Sequence, residues 1–307
     1  QLTDWAGLDA GALYAPDGKS VFFVSDRDGD ERLYRLTLDD RKVTPITRED
    51  RAVGGLKLTP DRTRVAFWQS GPEGGLFTVP VAGGSPTRIL RRPGTYSLGN
   101  ESEFDFSPDG RYVAYRDTLQ GSGYYYWESA TNVFILDTKT GVTTDVTRLA
   151  ARHGSPKFTP DGKYLYLYSD RQGDGIYAIS LADDFGRPGD EDLKYEAPKG
   201  VPSVEIRFDG IERRIRRLAT GGFAGELAMD AKNGDAIMLR DGDVHRLPYG
   251  GGDLRRITNG GGVGGFEPSA DGDSLLLLRN GKLQTLNLRA PGNPTTDVAF
   301  RAEWLRD

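Results

Sequence analysis

The chain holds two histidines, His153 and His245, and no cysteine. Histidine is the side chain whose charge changes near neutral pH, so it is the first place to look for acid–base or metal chemistry. The two lie about ninety residues apart and neither sits in a metal-ligand spacing such as H-E-x-x-H. Both read as ordinary turn or surface residues. The serine of Gly83-Gly84-Ser85-Pro86-Thr87 lacks the closing glycine of a nucleophile elbow and falls in a turn. Asp26, Asp28 and Asp30 begin like a calcium loop, but Glu31 stands where the sharp turn of that loop requires glycine, so an acidic β-turn explains them. Carboxylates are frequent in the turns, and sequence cannot set a pair of them across a cleft for glycosidase chemistry. Asn259-Gly260-Gly261-Gly262-Val263-Gly264-Gly265 precedes no helix, which argues against a phosphate cradle and for a flexible connection. No catalytic, cofactor-binding or metal-ligating residue is assigned.

What stands out instead is an aromatic patch, Tyr124, Tyr125, Tyr126 and Trp127, in an expanded turn after Gly121-Ser122-Gly123. Aromatic side chains with polar handles suit peptide and partner contacts, and these four are the candidate binding residues. The competing reading is packing between neighbouring structural repeats.

The elements that must position such residues repeat along the chain. Tyr14-Ala15-Pro16-Asp17-Gly18-Lys19, Leu58-Thr59-Pro60-Asp61-Arg62, Phe106-Ser107-Pro108-Asp109-Gly110-Arg111 and Phe158-Thr159-Pro160-Asp161-Gly162-Lys163 are variants of one motif, and Ser269-Ala270-Asp271-Gly272 is a degenerate fifth. The prolines are 44, 48 and 52 residues apart, the period of a propeller blade. Proline presets φ, Asp bonds to the backbone just ahead, and Gly accepts positive φ, so each motif predicts a tight turn between two strands. Short β-type runs flank it, as in Ser20-Val21-Phe22-Phe23-Val24 and Tyr164-Leu165-Tyr166-Leu167-Tyr168. A second turn, Ser25-Asp26-Arg27 or Ser169-Asp170-Arg171, leads to a third strand. A fourth strand ends in an apolar residue plus Thr, at Ile46-Thr47, Val146-Thr147 and Ile257-Thr258.

The expected fold is therefore an all-β propeller of six four-stranded blades, approximately 9–48, 52–92, 101–149, 153–220, 222–259 and 262–306, forming a single domain over 1–307. The fifth blade lacks the motif and is inferred from its strands and the Asp241-Gly242 turn; the sixth is expected to end with a strand from Asp297 to Trp304. Seven blades is the alternative, because Leu2-Thr3 resembles the end of a fourth strand. The acidic stretch Asp183–Asp192 breaks the rhythm and is expected to project from one face.

Composition narrows the function. Net charge is −5 and the pI about 5.3, so no basic footprint for nucleic acid exists; the run Arg213-Arg214-Ile215-Arg216-Arg217 is offset by Glu205, Asp209 and Glu212 and reads as a solvated strand face. No window approaches the ~18 apolar residues of a membrane span. Missing cysteines exclude disulfides and thiolate sites without deciding the compartment. The polar start Gln1-Leu2-Thr3-Asp4-Trp5, without Met, suggests an N-terminus cut from something longer, which leaves cytoplasm and periplasm both open.

The blade pattern Phe158–Tyr166 followed by Ser169-Asp170-Arg171 resembles the TolB-type propeller repeat. The stretch Val204–Ile215, with Lys163–Tyr166 before it and Ser269–Gly272 after it, is similar to the second propeller of tricorn-type serine proteases, and Ala299–Trp304 resembles the strand leading out of it. The resemblance implies a propeller without catalytic residues of its own. It would admit and guide peptide or unfolded polypeptide toward PDZ and protease domains elsewhere in a serine peptidase. The alternatives are a propeller fused to a metal-dependent amidohydrolase and a free-standing TolB-like interaction platform.

Overall fold

The computed structural model describes residues 3–47, 52–92, 103–118, 130–182, 193–221, 227–269 and 271–299. The architecture is all-β: six four-stranded antiparallel sheets, the blades of a six-bladed β-propeller. The first sheet runs β1 (Asp9–Tyr14), β2 (Ser20–Ser25), β3 (Arg32–Thr37), β4 (Val43–Pro45), in chain order across the sheet. The second is β5 (Val53–Leu58), β6 (Arg64–Gln69), β7 (Gly75–Pro80), β8 (Thr87–Arg91). The third is β9 (Phe104–Phe106), β10 (Tyr112–Thr118), β11 (Thr131–Asp137), β12 (Thr143–Asp145). The fourth is β13 (His153–Phe158), β14 (Tyr164–Ser169), β15 (Gly175–Ser180), β16 (Ile215–Thr220). The fifth is β17 (Leu227–Met229), β18 (Ala236–Arg240), β19 (Asp243–Leu247), β20 (Arg255–Arg256). The sixth is β21 (Val263–Pro268), β22 (Ser274–Arg279), β23 (Lys282–Asn287), β24 (Thr295–Asp297). Among the described residues no helix is long and apolar enough to cross a membrane.

The repeated turn is a hydrogen-bonded box. Thr59, Ser107, Thr159 and Ser269 each donate a hydroxyl to Oδ1 of the Asp two residues on, at 2.5–2.6 Å. In three of these turns the same Oδ1 accepts the backbone N–H of the second residue beyond it, Thr63, Lys163 or Asp273. Turn and strand start are thus locked by one side chain. The fifth sheet has no such motif, and Asp230 takes the position of the hydroxyl residue: its N–H bonds to the Asp235 carbonyl as that of Thr159 bonds to the Tyr164 carbonyl.

The threonine that closes each fourth strand has an equally specific task. Thr47, Thr147 and Thr258 accept the backbone N–H of Leu33, Val133 and Val244, at 3.1, 3.1 and 2.9 Å. Leu33 and Val244 lie one residue before the first pairs with the fourth strand, Tyr34–Pro45 and His245–Arg256, and the hydroxyl fills that place. Thr147 and Val133 are buried, so Thr147→Val leaves a buried donor without an acceptor. It should lower stability by about 2 kcal/mol, read as a shift of the urea midpoint at unchanged slope.

Two compact units divide the chain. The first comprises residues 1–106, 110–113 and 136–143. Its core lies between the first two sheets, where Phe22, Val24 and Leu33 pack with Val53, Val65, Phe67 and Val79. All six residues of β2 are buried, which is why the strand is a continuous apolar run rather than an alternating one.

The second unit holds 107–109, 114–135 and 144–307. Tyr164, Tyr166 and Ile176 of the fourth sheet pack with Met238 and Leu247 of the fifth, and Ile237 and Leu239 of the fifth with Leu275 and Leu277 of the sixth. In the sixth sheet Leu276 and Leu278 stay exposed, so β22 alternates.

Two expectations are revised. The projection expected of Asp183–Asp192 falls on residues outside the described set; beyond them the long connection lies against the sheets. Leu193 and Tyr195 pack against the fourth and fifth sheets, Tyr195 donates its hydroxyl to the Ala231 carbonyl, and Val204 is buried with its N–H on Asp109. Apolar residues spaced through that segment account for it: they gain more by covering the sheets than by remaining in water.

The glycine-rich stretch is not simply a flexible connection: β21 begins at Val263, and Gly261 donates to the buried carboxylate of Asp243 at 3.2 Å. The last described strand is Thr295–Asp297 rather than Asp297–Trp304, because the tight turn that bonds Asn287 N–H to the Pro294 carbonyl brings the chain back early; residues 300–304 lie outside the described set.

Candidate functional site

The four aromatics Tyr124, Tyr125, Tyr126 and Trp127 lie outside the described residues, so the site must be sought elsewhere. Both histidines belong to strands and are buried, contrary to the turn or surface role expected of them. His153 opens β13 and is 1% exposed, and His245 sits mid-strand in β19 with Nδ1 facing the Asp243 carbonyl at 3.2 Å. A polar ring in a strand packed on both faces has nowhere else to go. Burial and the Arg171 guanidinium push His153 down to about 4, against weaker opposing pulls from the Leu149 carbonyl, Asp170 and Asp145.

The Asp26 carboxylate accepts Trp5 Nε1 and the Leu8 N–H, and Asp28 accepts the Tyr34 hydroxyl at 2.8 Å. These bonds hold the second turn of the first sheet. Among the described residues no three His, Asp or Glu side chains group as metal ligands. In the basic run, Arg214 bonds to the carbonyls of Ser180, Asp209 and Arg207. Arg216 and Arg217 stand exposed on β16, the solvated strand face expected of them.

In the second unit a buried polar seam runs between consecutive sheets. The turn aspartates use their second oxygen here. Asp161 Oδ2 accepts the Tyr249 hydroxyl at 2.6 Å, and Asp109 Oδ2 accepts the Val204 N–H at 2.8 Å. Tyr166 Oη accepts the Gly250 N–H at 3.0 Å. Burial, with the Asp161 carboxylate alongside, raises the Tyr249 phenol far above its ordinary value. Asp230, with a carboxylate fully shielded from water, takes two bonds from Arg289 of 2.8 and 2.5 Å and lies 3.8 Å from Arg246. Every carboxylate in this seam is committed to a neighbour inside the protein. Its chemistry is cohesion between sheets.

The first unit offers the opposite: an open groove of about 840 Å³ between its first and second sheets, within the size range of small-ligand sites. Arg35 of β3 and Thr44 of β4, directly paired across those strands, form one wall. Gln69 and Phe77 of the second sheet form the other, with Arg88 and Glu73 at the rim and the turn Gly83–Pro86 at one end. Phe77 stacks on Phe67 with ring centroids 5.8 Å apart, which fixes an apolar patch among the polar groups. Glu73 pairs with Arg88 at 2.9 Å and Arg91 at 3.3 Å, and these arginines hold its carboxyl below the usual range. The groove is the candidate site.

The third strand expected after the Ser25-Asp26-Arg27 turn contains Arg35, which nothing in the sequence analysis singles out. A signal was present: Arg35 lies two residues from Leu33, which faces the core between the first two sheets. In a strand that phase is shared, so a charge there points toward the neighbouring sheet.

No family model matches the chain. Curated relatives include an uncharacterised protein of Agrobacterium fabrum, 26% identical over 52% of this chain and 50% of that protein. An uncharacterised peptidase of Bacillus subtilis is 25% identical over 58% of this chain and 23% of its own length. A TolB homologue of Chlorobium chlorochromatii is 29% identical over 50% and 32%. The chain thus spans half or less of the length of each of these three relatives. Among solved structures the tricorn protease superposes with a TM-score of 0.70 at 14% identity, covering 95% of this chain and 30% of that one. An oligogalacturonate lyase in complex with manganese gives 0.67 at 14%, covering 94% and 75%. TolB from Acinetobacter baumannii gives 0.55 at 16%, covering 93% and 62%. The solved structures agree with the fold, a six-bladed β-propeller, and the sequence is similar to that of a TolB homologue.

Proposed function

We propose that the chain is the non-catalytic propeller of a larger serine peptidase of tricorn type, receiving unfolded polypeptide and guiding it toward catalytic domains carried elsewhere in the parent protein. The observation that carries this reading is the combination of partial coverage and peptidase likeness. The fold matches 95% of this chain to 30% of the tricorn protease, and the sequence matches only 23% of the Bacillus peptidase. A propeller arranges its blades around a central channel, which gives such a domain a physical means of filtering extended chains from folded ones. Fold likeness alone does not define function, so the reading stands or falls on activity.

The test is peptidase activity on an unstructured polypeptide, comparing this chain with the full-length gene product. The expected result is cleavage by the longer protein only, stopped by a serine-directed reagent. Cleavage by this chain alone, or insensitivity of the longer protein to the reagent, would overturn it. A second reading, a TolB-like interaction platform, is favoured by the 29% identity to a TolB homologue. It predicts a full-length product with no peptidase activity that co-purifies with a folded partner.

A further inference from the structure

Arg27, Arg111 and Arg289 each meet a carboxylate within 3.0 Å. Arg35 does not. Its Nε donates to Ser20 Oγ at 3.0 Å and its Nη1 to the Ala82 carbonyl at 2.9 Å. The guanidinium is therefore held in one orientation by two neutral acceptors, with Nη2 and a second Nη1 hydrogen left over. Among the described residues no acid neutralises it. Around it the side chains of Thr37, Thr44, Gln69 and Ser85 also line the groove, and none of them makes a hydrogen bond within the described chain. The one carboxylate on the rim, Glu73, is already matched by Arg88 and Arg91.

We infer that the groove between the first and second sheets is a binding site for a carboxylate-bearing segment of polypeptide, with Arg35 as its anchor. A guanidinium fixed from behind loses little freedom on binding, and its free edge fits the two oxygens of a carboxylate. The unpartnered hydroxyls and the Gln69 amide supply donors and acceptors for main-chain groups, and Phe77 supplies an apolar contact beside them. Strand addition at the edge of β4 is not the mode, because Pro45 has no N–H to offer there. The occupant being polypeptide rests on the function proposed above; its being an anion rests on Arg35.

The carboxylate can come from an acidic side chain or from a chain terminus, and calorimetric titration of this chain with three acetylated tripeptides separates the two. One has a central glutamate and an amidated end, one is all alanine with a free carboxyl end, and one has a central glutamine and an amidated end. At least one carboxylate peptide should bind about tenfold or more tightly than the glutamine peptide. Whichever binds names the source. Arg35→Gln should remove that preference. Thr44→Asp, which sets a carboxylate across the strand from an intact Arg35, should weaken binding by a similar factor without touching the Arg35 anchor bonds. Equal binding of all three peptides, no binding of any, or unchanged affinity in both variants would overturn the inference. The two proposals fail separately. An inactive full-length protein with Arg35-dependent binding removes the peptidase reading alone, and an active one indifferent to Arg35 removes the groove alone.

Discussion

Arg289→Ala should destabilise the protein by about 3 kcal/mol or more, read from urea unfolding. The reason is an asymmetry of burial. Asp230 has no side-chain exposure, whereas Arg289 is 29% exposed and also reaches Asp273 and the Gly272 carbonyl. Removing the arginine leaves a buried carboxylate with the Lys232 N–H, at 3.0 Å, and Arg246, at 3.8 Å, to offset its lost hydration. Removing the acid instead leaves an arginine that can turn to water and to Asp273, so Asp230→Ala should cost less than Arg289→Ala. The double variant should be more stable than Arg289→Ala alone, because it carries no buried charge to strand. Equal costs for the two single changes would mean that packing, rather than charge, holds the fifth and sixth sheets together at this point.

Acidification should weaken the fold before its carboxylates are touched. Burial pushes the His153 imidazole down to about 4 in the folded protein, from an ordinary value of about 6.5. Between those values the unfolded chain takes up a proton that the folded chain refuses, so unfolding gains as pH falls. The neutral ring contributes fully above pH 6.5, and that contribution is lost progressively down to pH 4. The linkage amounts to about 2 kcal/mol between pH 7 and pH 5 and about 3 kcal/mol by pH 4. Asp9, Asp61, Asp137 and Asp170, whose pKa values are lowered, lose stability only below the ordinary carboxylate range. Asp235, raised by burial, takes up its proton first in the folded protein and so opposes the loss, which leaves the histidine as the group that destabilises between 6.5 and 5. Replacing His153 with glutamine should flatten stability across that interval. A slope that survives in His153→Gln would assign it to another group.

The parts of this structure that sequence makes legible are those whose causes lie within a few residues. The turns at Thr59, Ser107, Thr159 and Ser269 close because hydroxyl and carboxylate of one short segment satisfy each other, and in the first motif, where Ala15 replaces the hydroxyl residue, Asp17 still accepts the Lys19 N–H. The apolar-Thr ending of the fourth strands was readable as a pattern. That the hydroxyl caps the third strand, fourteen residues earlier, was not. The fifth sheet was legible from its strands and the Asp241-Gly242 turn, but the substitution of Asp230 for the hydroxyl residue gave no signal, since aspartate is ordinary in a turn.

What decides the site is of another kind. The bonds that join one sheet to the next link Asp109 to Val204, Asp161 to Tyr249 and Asp230 to Arg289, across 95, 88 and 59 residues. No local rule pairs them, because each depends on two sheets having already packed. The same holds for His153, whose burial follows from what covers β13, and for Arg35, which no acid among the described residues neutralises. Sequence by itself determined the repeat, the turns and the strand count, since backbone chemistry within a blade is local. Tertiary structure alone decided which charges are matched and which is left facing a groove, since matching is a property of surfaces brought together.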